Sequence, residues 1–476
     1  MKDRVNSIHF IGIGGSGMSG IAEVLHSLGY FVTGSDISRN SSTLHLENIG
    51  IKIFYGHDEK NINKVDVVVV SSAISSDNPE VKLALSRHIP IIPRAIMLAE
   101  LIRFKKGIAI AGTHGKTTTT SLVASIFGCA NLDPTFVIGG KLNSISSNAK
   151  LGMGDYIIAE ADESDASFLY LNPLFTIVTN IDNDHMDTYD HKLERQRQAF
   201  IDFIHRMPFY GKAFLCIDSY NVRDILPNIS KPYFTYGLTQ DADIYASDIK
   251  YLMPYMYYVV NSRDRIFPSF EVYLNQPGIH NVQNSLGAIG LSLECNISIN
   301  DIQKGLKKFT GVCRRFQNLG QINLSCGGTV TLIDDYGHHP LEVKVTIETA
   351  RNFFPNRRLV LVFQPHRYSR TRDLFEDFVE VLRQVDILIL TEVYPAGEEA
   401  IVAADSKALS RAIRITGGIE PFYVKDVESL PNVIFSNLLK DDILLIMGAG
   451  SINKIPHILL EMSSINNINY RDFYGN

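Results

Sequence analysis

Gly107-Ile-Ala-Ile-Ala-Gly-Thr-His-Gly-Lys-Thr-Thr118 is a short apolar segment that runs into a glycine-rich turn and then into a helix-like stretch. The two glycines of the turn allow backbone N–H groups to converge on phosphate oxygens, Lys116 adds a positive charge, and the Thr117 hydroxyl can reach a bound Mg²⁺. We interpret the segment as a phosphate-binding loop for ATP or GTP. The usual loop has a longer spacing between its glycines, so a glycine-rich connection that merely turns the chain is the alternative.

The composition is that of an ordinary globular protein, with 45% hydrophobic and 20% charged residues in a chain of 476 residues. A formal net charge of −6 and scattered basic residues argue against a nucleic-acid partner. The five cysteines form no Cys-x-x-Cys pair, as expected for a reducing cytoplasm. No apolar stretch is long enough to cross a membrane. We therefore expect a cytoplasmic protein without a membrane span; the sequence predicts no particular oligomeric state.

Segments rich in Ile and Val alternate with amphipathic stretches, which predicts α/β units around parallel sheets. The apolar segments include residues 66–70, 156–159, 359–363, 387–391 and 443–447. Breaks at residues 103–107 and after Arg314-Arg315-Phe316-Gln317 divide the chain further. We expect three domains over residues 1–105, 106–317 and 318–476.

A second glycine motif, Gly12-x-Gly14-x-x-Gly17, follows a strand-like segment at residues 8–13 and precedes a helical pattern. It fits the dinucleotide fingerprint, and Asp36 ends the next strand-like segment, where an acidic side chain meets a ribose in such folds. We interpret the motif as a diphosphate site, and a tight strand-to-helix turn is the alternative. Two nucleotide-sized cradles favour an enzyme that joins ATP to a nucleotide-bearing substrate over a plain dehydrogenase.

Acidic side chains follow two strand-like segments in the middle of the chain. Glu160 begins a run of carboxylates after residues 155–159, and an acidic run that contains His185 follows residues 175–179. Ligands of open α/β sheets bind at the carboxyl ends of the strands, and Mg²⁺ prefers oxygen ligands. We predict a magnesium site at Glu160, with solvated strand ends as the alternative. For His185 a structural role stays equally open, because histidine is an unusual Mg²⁺ ligand.

These motifs, in this order and spacing, resemble the Mur ligases over the whole chain. The shortened phosphate loop, which departs from the generic pattern, is the form that this family shows. The segments that carry the resemblance are Ile11-Gly-Ile-Gly-Gly-Ser-Gly-Met18, Gly112-Thr-His-Gly-Lys-Thr-Thr118, Glu160-Ala-Asp-Glu-Ser-Asp-Ala-Ser-Phe168, Asn183-Asp-His-Met-Asp187, His280-Asn-Val-Gln-Asn284, Arg314-Arg-Phe316 and Asp334-Asp-Tyr-Gly-His-His-Pro340.

The resemblance implies an α/β protein with the three-domain Mur ligase architecture: a Rossmann-like N-terminal domain for a UDP-sugar, a P-loop ATPase-like central domain and a Rossmann-like C-terminal domain. It also implies an ATP-dependent ligase that joins L-alanine to the lactyl carboxylate of UDP-N-acetylmuramate through an acyl phosphate, in peptidoglycan precursor synthesis. A related ligase that adds a murein tripeptide during recycling is the alternative, although residues 163–168 and 184–187 look more like the alanine-adding enzyme. A nucleotide-binding regulator without turnover is a third hypothesis.

The resemblance further implies roles for individual residues. Lys116, Glu160, His185 and Arg315 would be catalytic; Thr117 and Glu160 would bind Mg²⁺, and His185 a second Mg²⁺. The ATP would contact Gly112, Thr113, His114, Gly115, Lys116, Thr117, Thr118, His280, Asn281, Asn284, Arg315 and Asp335. The UDP-sugar and the amino acid would contact Gly14, Gly15, Ser16, Gly17, Met18, Asp36, Ser71, Ser72, His339, His366, Arg367 and Arg370.

Two of these sets also have structural interpretations. His280 and Asn281 could cap a helix that begins near Val282, and Arg314 and Arg315 could be a solvated surface pair. In one respect the chain departs from several later-acting family members, which carry a CO₂-modified lysine downstream of the Asp-His-Met histidine. Residues 195–200 contain no lysine, so we predict no carbamylated lysine.

Overall fold

The computed structural model describes residues 1, 4–71, 73–142, 147–325 and 327–474. It divides into two compact units, Met1–Gln276 with His280–Val312 and Pro277–Ile279 with Cys313–Asn476. The first unit contains two β-sheets and the second contains one.

The first sheet has five parallel strands in the order β3-β2-β1-β4-β5. The strand order reverses at β1, and the crevice beyond the carboxyl end of such a strand is where open α/β sheets bind ligands. The strands are β1 (Ser7–Ile11), β2 (Phe31–Asp36), β3 (Lys52–Tyr55), β4 (Val67–Val70) and β5 (Ile91–Pro93), and the helices are α1 (Ser16–Ser27), α2 (Ser41–Asn48), α3 (Pro79–Ser86) and α4 (Arg94–Ile102).

The second sheet has ten strands in the order β15-β14-β13-β12-β11-β10-β6-β9-β7-β8, with antiparallel pairs only at its two ends. Strand β6 lies between β9 and β10, so the carboxyl ends of these three parallel strands meet. The strands are β6 (Lys106–Ala111), β7 (Thr135–Leu142), β8 (Ser147–Lys150), β9 (Tyr156–Glu160), β10 (Phe175–Val178), β11 (Lys212–Cys216), β12 (Tyr233–Gly237), β13 (Ile244–Leu252), β14 (Tyr255–Ser262) and β15 (Phe270–Leu274). The helices are α5 (Lys116–Cys129), α6 (Leu193–His205), α7 (Tyr220–Ile225), α8 (Ile279–Glu294) and α9 (Ile299–Lys308).

The third sheet, in the second unit, has six strands in the order β16-β17-β21-β18-β19-β20, and only the edge strand β16 is antiparallel to its neighbour. The strands are β16 (Gln317–Asn323), β17 (Thr329–Asp335), β18 (Leu359–Phe363), β19 (Ile387–Thr391), β20 (Phe422–Val424) and β21 (Ile443–Met447). The helices are α10 (Pro340–Phe353), α11 (Tyr368–Asp373), α12 (Phe375–Leu382), α13 (Ser406–Thr416), α14 (Leu430–Asn437) and α15 (Ile455–Tyr474).

The first two sheets share one apolar core, which explains why they form a single unit. Helix α1 packs on the second sheet at Gly20, where an added Cβ would lie 3.2 Å from Ala149 and 3.3 Å from Val137. Next to this contact, Asn148 donates a hydrogen bond to the Ser19 hydroxyl at 3.2 Å. The glycine turn that precedes α1 is therefore held close to the second sheet.

The predicted α/β architecture is confirmed, and the predicted apolar strands lie within a few residues of those observed. Parallel strands buried on both faces are continuous apolar runs, which is why β18, β19 and β21 were visible in the sequence. Among the residues described, no helix is both long enough and apolar enough to cross a membrane.

Candidate active site

The turn between β6 and α5 requires glycine at two positions. Gly112 and Gly115 have φ angles of +131° and +83°, in the region that residues with a side chain rarely adopt. A Cβ on Gly112 would overlap the Thr179 hydroxyl, and one on Gly115 would lie 2.5 Å from the Asn284 side-chain oxygen. The glycines therefore allow close packing of the loop as well as a change of chain direction.

The loop is fastened to the end of the neighbouring strand β10. The His114 backbone N–H donates to Asn180 Oδ1 at 2.8 Å, and the His114 carbonyl accepts from Asn180 Nδ2 at 3.0 Å and from the Thr179 hydroxyl at 2.5 Å. The Thr113 hydroxyl accepts from the Asp182 N–H at 2.9 Å. Thr113 and His114 thus fix the shape of the loop, because their hydrogen bonds join two adjacent strand ends.

Lys116 is the first residue of α5, and its ammonium group folds back over the loop. It donates to the carbonyl oxygens of Gly112 at 2.7 Å and Thr113 at 3.2 Å, and to Glu163 Oε2 at 2.7 Å. Burial opposes the positive charge, but the Glu163 carboxylate outweighs it and raises the pKa of Lys116 above its ordinary value. The ammonium is therefore charged at neutral pH.

Glu163 has one carboxylate oxygen on Lys116, while its other oxygen, Oε1, is buried without a hydrogen-bond partner among the described residues. The Glu163 side chain is fully buried. The sequence places Glu163 in the acidic run after β9, but no local pattern indicates that this carboxylate, 47 positions away, contacts Lys116.

Glu160 ends β9 directly beside β6, with Ile110 as its register partner. Its Oε1 accepts from the Gly139 N–H at 2.8 Å. Thr117 is half-buried and Thr118 buried in the first turn of α5.

No three His, Cys, Asp or Glu side chains gather as a metal site in the part of the chain that the structure describes. Mg²⁺ commonly binds one or two protein oxygens together with phosphate oxygens and water, and the oxygen donors of Thr117 and Glu160 fit that chemistry.

His185 precedes a short 3₁₀ turn at Met186–Tyr189 and has a φ angle of +56°. Its backbone N–H donates to Asp184 Oδ1 at 2.9 Å, and its ring Nε2 lies 3.6 Å from Asp184 Oδ2. The side chain is 30% exposed. The structure therefore places His185 after β10, in the same connecting segment as the residues that fasten the phosphate loop.

A cavity of about 310 Å³ connects the phosphate loop to the glycine turn of the first sheet. Lys116, Glu160 and Asp162 line it from the second sheet, and Gly15 and Gly17 line it from the first. Its other lining residues are Met18, Ile21, Ser71, Arg94, Leu98, Val137, Ile138 and Gly139. The two cradles that the sequence predicts separately are thus joined by one cavity.

The glycine turn of the first sheet is supported from behind by Asp36. The Gly14 N–H donates to Asp36 Oδ2 at 2.8 Å, and the other oxygen, Oδ1, accepts from the Ser38 N–H at 3.0 Å. A Cβ on Gly14 would meet Asp36, Asn40 and Thr43 at less than 3.0 Å. Asp36 is therefore used by the protein itself to shape the turn. Ser16 begins α1, and Ser72 lies outside the described residues.

Of the two asparagines predicted to bind adenine, Asn284 lies against the phosphate loop. Asn284 is the neighbour that excludes a side chain at Gly115, and its Nδ2 donates to Asn281 Oδ1 at 3.3 Å. The prediction of a helix beginning near Val282 with His280 and Asn281 as its cap is wrong. Helix α8 begins at Ile279, immediately after Gly278 with a φ angle of +103°, so both residues belong to its first turn.

In the second unit, the interpretation of Arg314 and Arg315 as a solvated pair is also wrong. Arg314 Nε lies 3.1 Å from Asp334 Oδ2, and its Nη2 donates to the Gly448 carbonyl at 2.6 Å. Arg315 Nη1 lies 3.4 Å from Glu342 Oε1. Both side chains are more than two-thirds buried, because carboxylates on β17 and α10 compensate their charge.

Asp335 ends β17 beside this pair and is buried. Its two oxygens accept from the N–H groups of Gly337 at 2.6 Å and Phe316 at 2.7 Å. Burial raises the pKa of Asp335 to about 6, although Arg315 and the two N–H groups oppose the shift. The carboxylate thus holds together the segments on both sides of the strand β16 hairpin.

In the second unit, the ring of His366 contacts the rings of two neighbouring residues. The His366 ring stacks on Tyr394 with a centroid distance of 5.5 Å and lies 5.4 Å from the His338 ring. Arg370, 9% exposed, donates to the His366 carbonyl at 3.4 Å. Arg367 is exposed, with a φ angle of +71°. The resemblance implies a substrate contact for His339, whereas His338 is the histidine whose ring contacts that of His366.

The lowered pKa values of His338 and His366 predict that the folded state loses stability in acid. Burial lowers the pKa of His338 to about 4, and burial together with the charge on His338 lowers that of His366 to about 4. The unfolded chain binds these protons near pH 6.5, so the folded state loses stability as the pH falls from 6.5 towards 4. For one histidine the difference corresponds to roughly 3 kcal/mol. We expect His338→Gln to flatten this part of the stability profile, measured by denaturant unfolding at several pH values; an unchanged profile would contradict the assignment.

Three family models together match most of the chain: "Mur ligase family, catalytic domain" over residues 7–106, "Mur ligase middle domain" over 110–292 and "Mur ligase, glutamate ligase domain" over 314–450. The UDP-N-acetylmuramate–L-alanine ligase of Neisseria gonorrhoeae is 62% identical over 97% of this chain and 99% of its own length. The enzyme of the same name from Chromobacterium violaceum is 57% identical over 96% and 98%.

Solved structures show the same relationship. The UDP-N-acetylmuramate-alanine ligase of Thermotoga maritima superposes with a TM-score of 0.81 at 28% identity, covering 96% of this chain and 98% of that one. A murein peptide ligase from Psychrobacter arcticus shares the fold, with a TM-score of 0.71 at 24% identity and the same coverage. The predicted resemblance and three-domain architecture are confirmed, and this chain belongs to the Mur ligase family.

Proposed function

We propose that the chain joins L-alanine to the lactyl carboxylate of UDP-N-acetylmuramate, with ATP converted to ADP and phosphate. The main support is the cavity that runs from the glycine turn of the first sheet to Lys116 and Glu160. A nucleotide-linked carboxylate bound at one end of this cavity would reach a phosphoryl group bound at the other. The 62% identity to a ligase of this name over nearly the full length of both chains favours L-alanine over a tripeptide.

The reaction divides into two substitutions. A carboxylate oxygen of the UDP-sugar attacks the γ-phosphorus of ATP, and the bond to the β-phosphate oxygen breaks, which gives an acyl phosphate and ADP. The amine of L-alanine then attacks the acyl carbon, one amine proton is released, and inorganic phosphate leaves. Both steps concentrate negative charge, so positioned cations and N–H donors supply most of the catalysis.

Lys116 is the cation that we assign to the transferring phosphate, because its ammonium already contacts the loop carbonyls. The N–H groups of the loop, shaped by Gly112 and Gly115, would hold the other phosphate oxygens. Thr117 and Glu160 would hold a Mg²⁺ ion, which would supply charge neutralisation, and His185 would serve a second ion. Asn281 and Asn284, with His280, would bind the adenine; Arg315 would contact phosphate and Asp335 the ribose.

The amino acid requires a site for its carboxylate. Arg370 and His366, with the neighbouring His338, are the group that we assign to it, because a buried guanidinium is a strong carboxylate partner. The neutral state of the two histidines near pH 7 avoids a second positive charge beside Arg370. We further propose a cytoplasmic location, where ATP and nucleotide sugars are available.

His339 is the other histidine predicted to contact the substrate, and a helix-capping role can be tested against that contact. The His339 ring nitrogen Nδ1 accepts from the Leu341 N–H at 3.3 Å, and Glu342 Oε2 accepts from the His339 N–H at 3.2 Å, so the residue caps α10. Asparagine is a strong N-cap and alanine a poor one. We expect His339→Asn to keep stability and the KM for L-alanine, and His339→Ala to lose about 1 kcal/mol of unfolding free energy. A raised KM for L-alanine in His339→Asn, with its stability retained, would instead indicate a substrate contact.

The proposed function is tested by measuring phosphate release and amide product with UDP-N-acetylmuramate, ATP and either L-alanine or the murein tripeptide. Product with L-alanine alone is the expected result. Product with the tripeptide alone would identify the recycling activity, and binding of the UDP-sugar without product from either amine would identify a regulator.

A further inference from the structure

Arg94 occupies a position between the two ends of the cavity. It is the first residue of α4, the last helix of the first sheet, and its side chain lines the cavity together with Gly15, Gly17 and Lys116. The side chain is 25% exposed. No pattern in the sequence distinguishes this arginine from the other basic residues of the chain.

The Arg94 guanidinium pairs with Asp162 and lies close to Gly17. Its Nη2 donates to Asp162 Oδ2 at 2.9 Å, and the other oxygen, Oδ1, accepts from the Ser164 hydroxyl at 2.6 Å. A Cβ added to Gly17 would lie 2.7 Å from Arg94 Nη1 and 3.3 Å from Cζ. The third glycine of the fingerprint motif therefore makes room for an arginine of the same protein.

This position places a fixed positive charge against the N-terminus of α1. The first-turn N–H groups of a helix have no carbonyl partner within the helix, and they attract phosphate groups. An arginine offers five N–H donors in a planar fork, of which the Asp162 contact uses Nη2. Nη1, the guanidinium nitrogen nearest to Gly17, lies beside the turn on which a diphosphate would be bound.

We infer that Arg94 binds an oxygen of the diphosphate in the nucleotide substrate, and that Asp162 is the positioning residue that orients the Arg94 fork. The inference depends on the proposed function for the presence of a nucleotide-linked substrate at the first sheet. It assigns the close approach at Gly17 to recognition of the phosphate groups and not only to packing. The alternative is that the ion pair between Arg94 and Asp162 simply fastens the first sheet to the second.

Binding of UDP and of uridine separates these two roles, because only UDP carries the phosphate groups. We expect Arg94→Ala to weaken UDP binding by about ten- to a hundredfold, the loss typical of one or two charge-assisted hydrogen bonds, and to leave uridine binding unchanged. Arg94→Lys keeps the charge without the fork, so an intermediate loss is expected. In turnover, the KM for UDP-N-acetylmuramate should rise while the KM for ATP stays constant.

Two further variants serve as comparisons. Arg103→Ala removes an exposed arginine just after the same helix. Arg103 pairs with Glu100, and its loss should change the affinity for neither UDP nor uridine. Asp162→Asn removes the charge of the ion pair but leaves Arg94, so it should lose less UDP affinity than Arg94→Ala. If the ion pair only fastened the first sheet to the second, Arg94→Ala and Asp162→Asn would each weaken UDP binding and uridine binding by the same factor.

Equal weakening of UDP and uridine in Arg94→Ala, or no change in UDP binding, would overturn the assignment of Arg94. If Arg94→Ala does not fold, the ratio of UDP to uridine affinity in Arg94→Lys decides, and an unchanged ratio overturns the assignment. A failure of the proposed function is seen separately, in the unmodified chain, as the absence of amide product with L-alanine.

Discussion

Replacing Lys116 by alanine is expected to lower kcat by about a hundred- to a thousandfold, the effect typical of removing one group that stabilises transition-state charge. The Lys116 ammonium is charged and lies 2.7 Å from a loop carbonyl and from Glu163. The transferring phosphoryl group would gather negative charge beside this ammonium. Among the lining residues of the cavity Lys116 is the lysine, and the arginine, Arg94, is already paired with Asp162. Phosphate release and amide formation measure the effect.

UDP-sugar binding should survive the same substitution, because the glycine turn and Asp36 belong to the first sheet and keep their own hydrogen bonds. Lys106→Ala is a suitable control: Lys106 begins the same strand β6, at the end away from the loop, and is half exposed. It should retain normal turnover. Loss of UDP-sugar binding together with turnover in Lys116→Ala would show that Lys116 mainly maintains the fold, through its contact with the buried Glu163.

Local patterns predicted the two glycine turns because each combines a strand, a turn and a helix within a few consecutive residues. Positive φ angles and close neighbours require glycine at positions 112 and 115. Because only glycine meets these requirements, the turn is visible in the sequence. The sheets were predicted for the same reason, since buried parallel strands are continuous runs of Ile, Val and Leu. Structure that is determined by consecutive residues can therefore be predicted from the sequence.

Long-range pairs were not predictable in this way. Arg94 and Asp162 are 68 positions apart, and Lys116 and Glu163 are 47 apart. Each pair forms because two strand or helix ends meet in the fold, and a single charged residue carries no signal for its partner. The fingerprint motif illustrates the same limit: spacing predicts Gly17, but only the structure shows that Arg94 fills the space beside it.

Helix boundaries decide the roles of His280, Asn281, His338 and His339, because a shift of a few residues changes the role of a side chain. Helix α8 begins three residues before the expected Val282, and His280 and Asn281 thereby move from a cap into the first turn. Helix α10 begins at Pro340, so His339 is its cap and His338 is the residue left to contact His366. Adjacent histidines cannot be distinguished until the start of the helix is known.

Glu160→Gln is the second substitution with a large expected effect, again a loss of about a hundred- to a thousandfold in kcat. Glutamine has nearly the same shape, and its carbonyl oxygen can still accept from the Gly139 N–H at the 2.8 Å position of Glu160 Oε1. The substitution therefore removes the negative charge and leaves the local packing. Asp155→Asn is the matched control, because Asp155 precedes the same strand β9 and is 77% exposed.

The dependence of the rate on Mg²⁺ distinguishes a metal ligand from an anchor of Gly139. An amide oxygen is a weaker Mg²⁺ ligand than a carboxylate, so Glu160→Gln should need a higher Mg²⁺ concentration for half-maximal activity, whereas Asp155→Asn should not. If Glu160→Gln keeps both the kcat and the Mg²⁺ dependence of the unmodified chain, then Glu160 acts only as the acceptor for the Gly139 N–H, a role that glutamine also fills. In that case the first ion would be held by Thr117 and the phosphates, and Thr117→Val should carry the altered Mg²⁺ dependence instead.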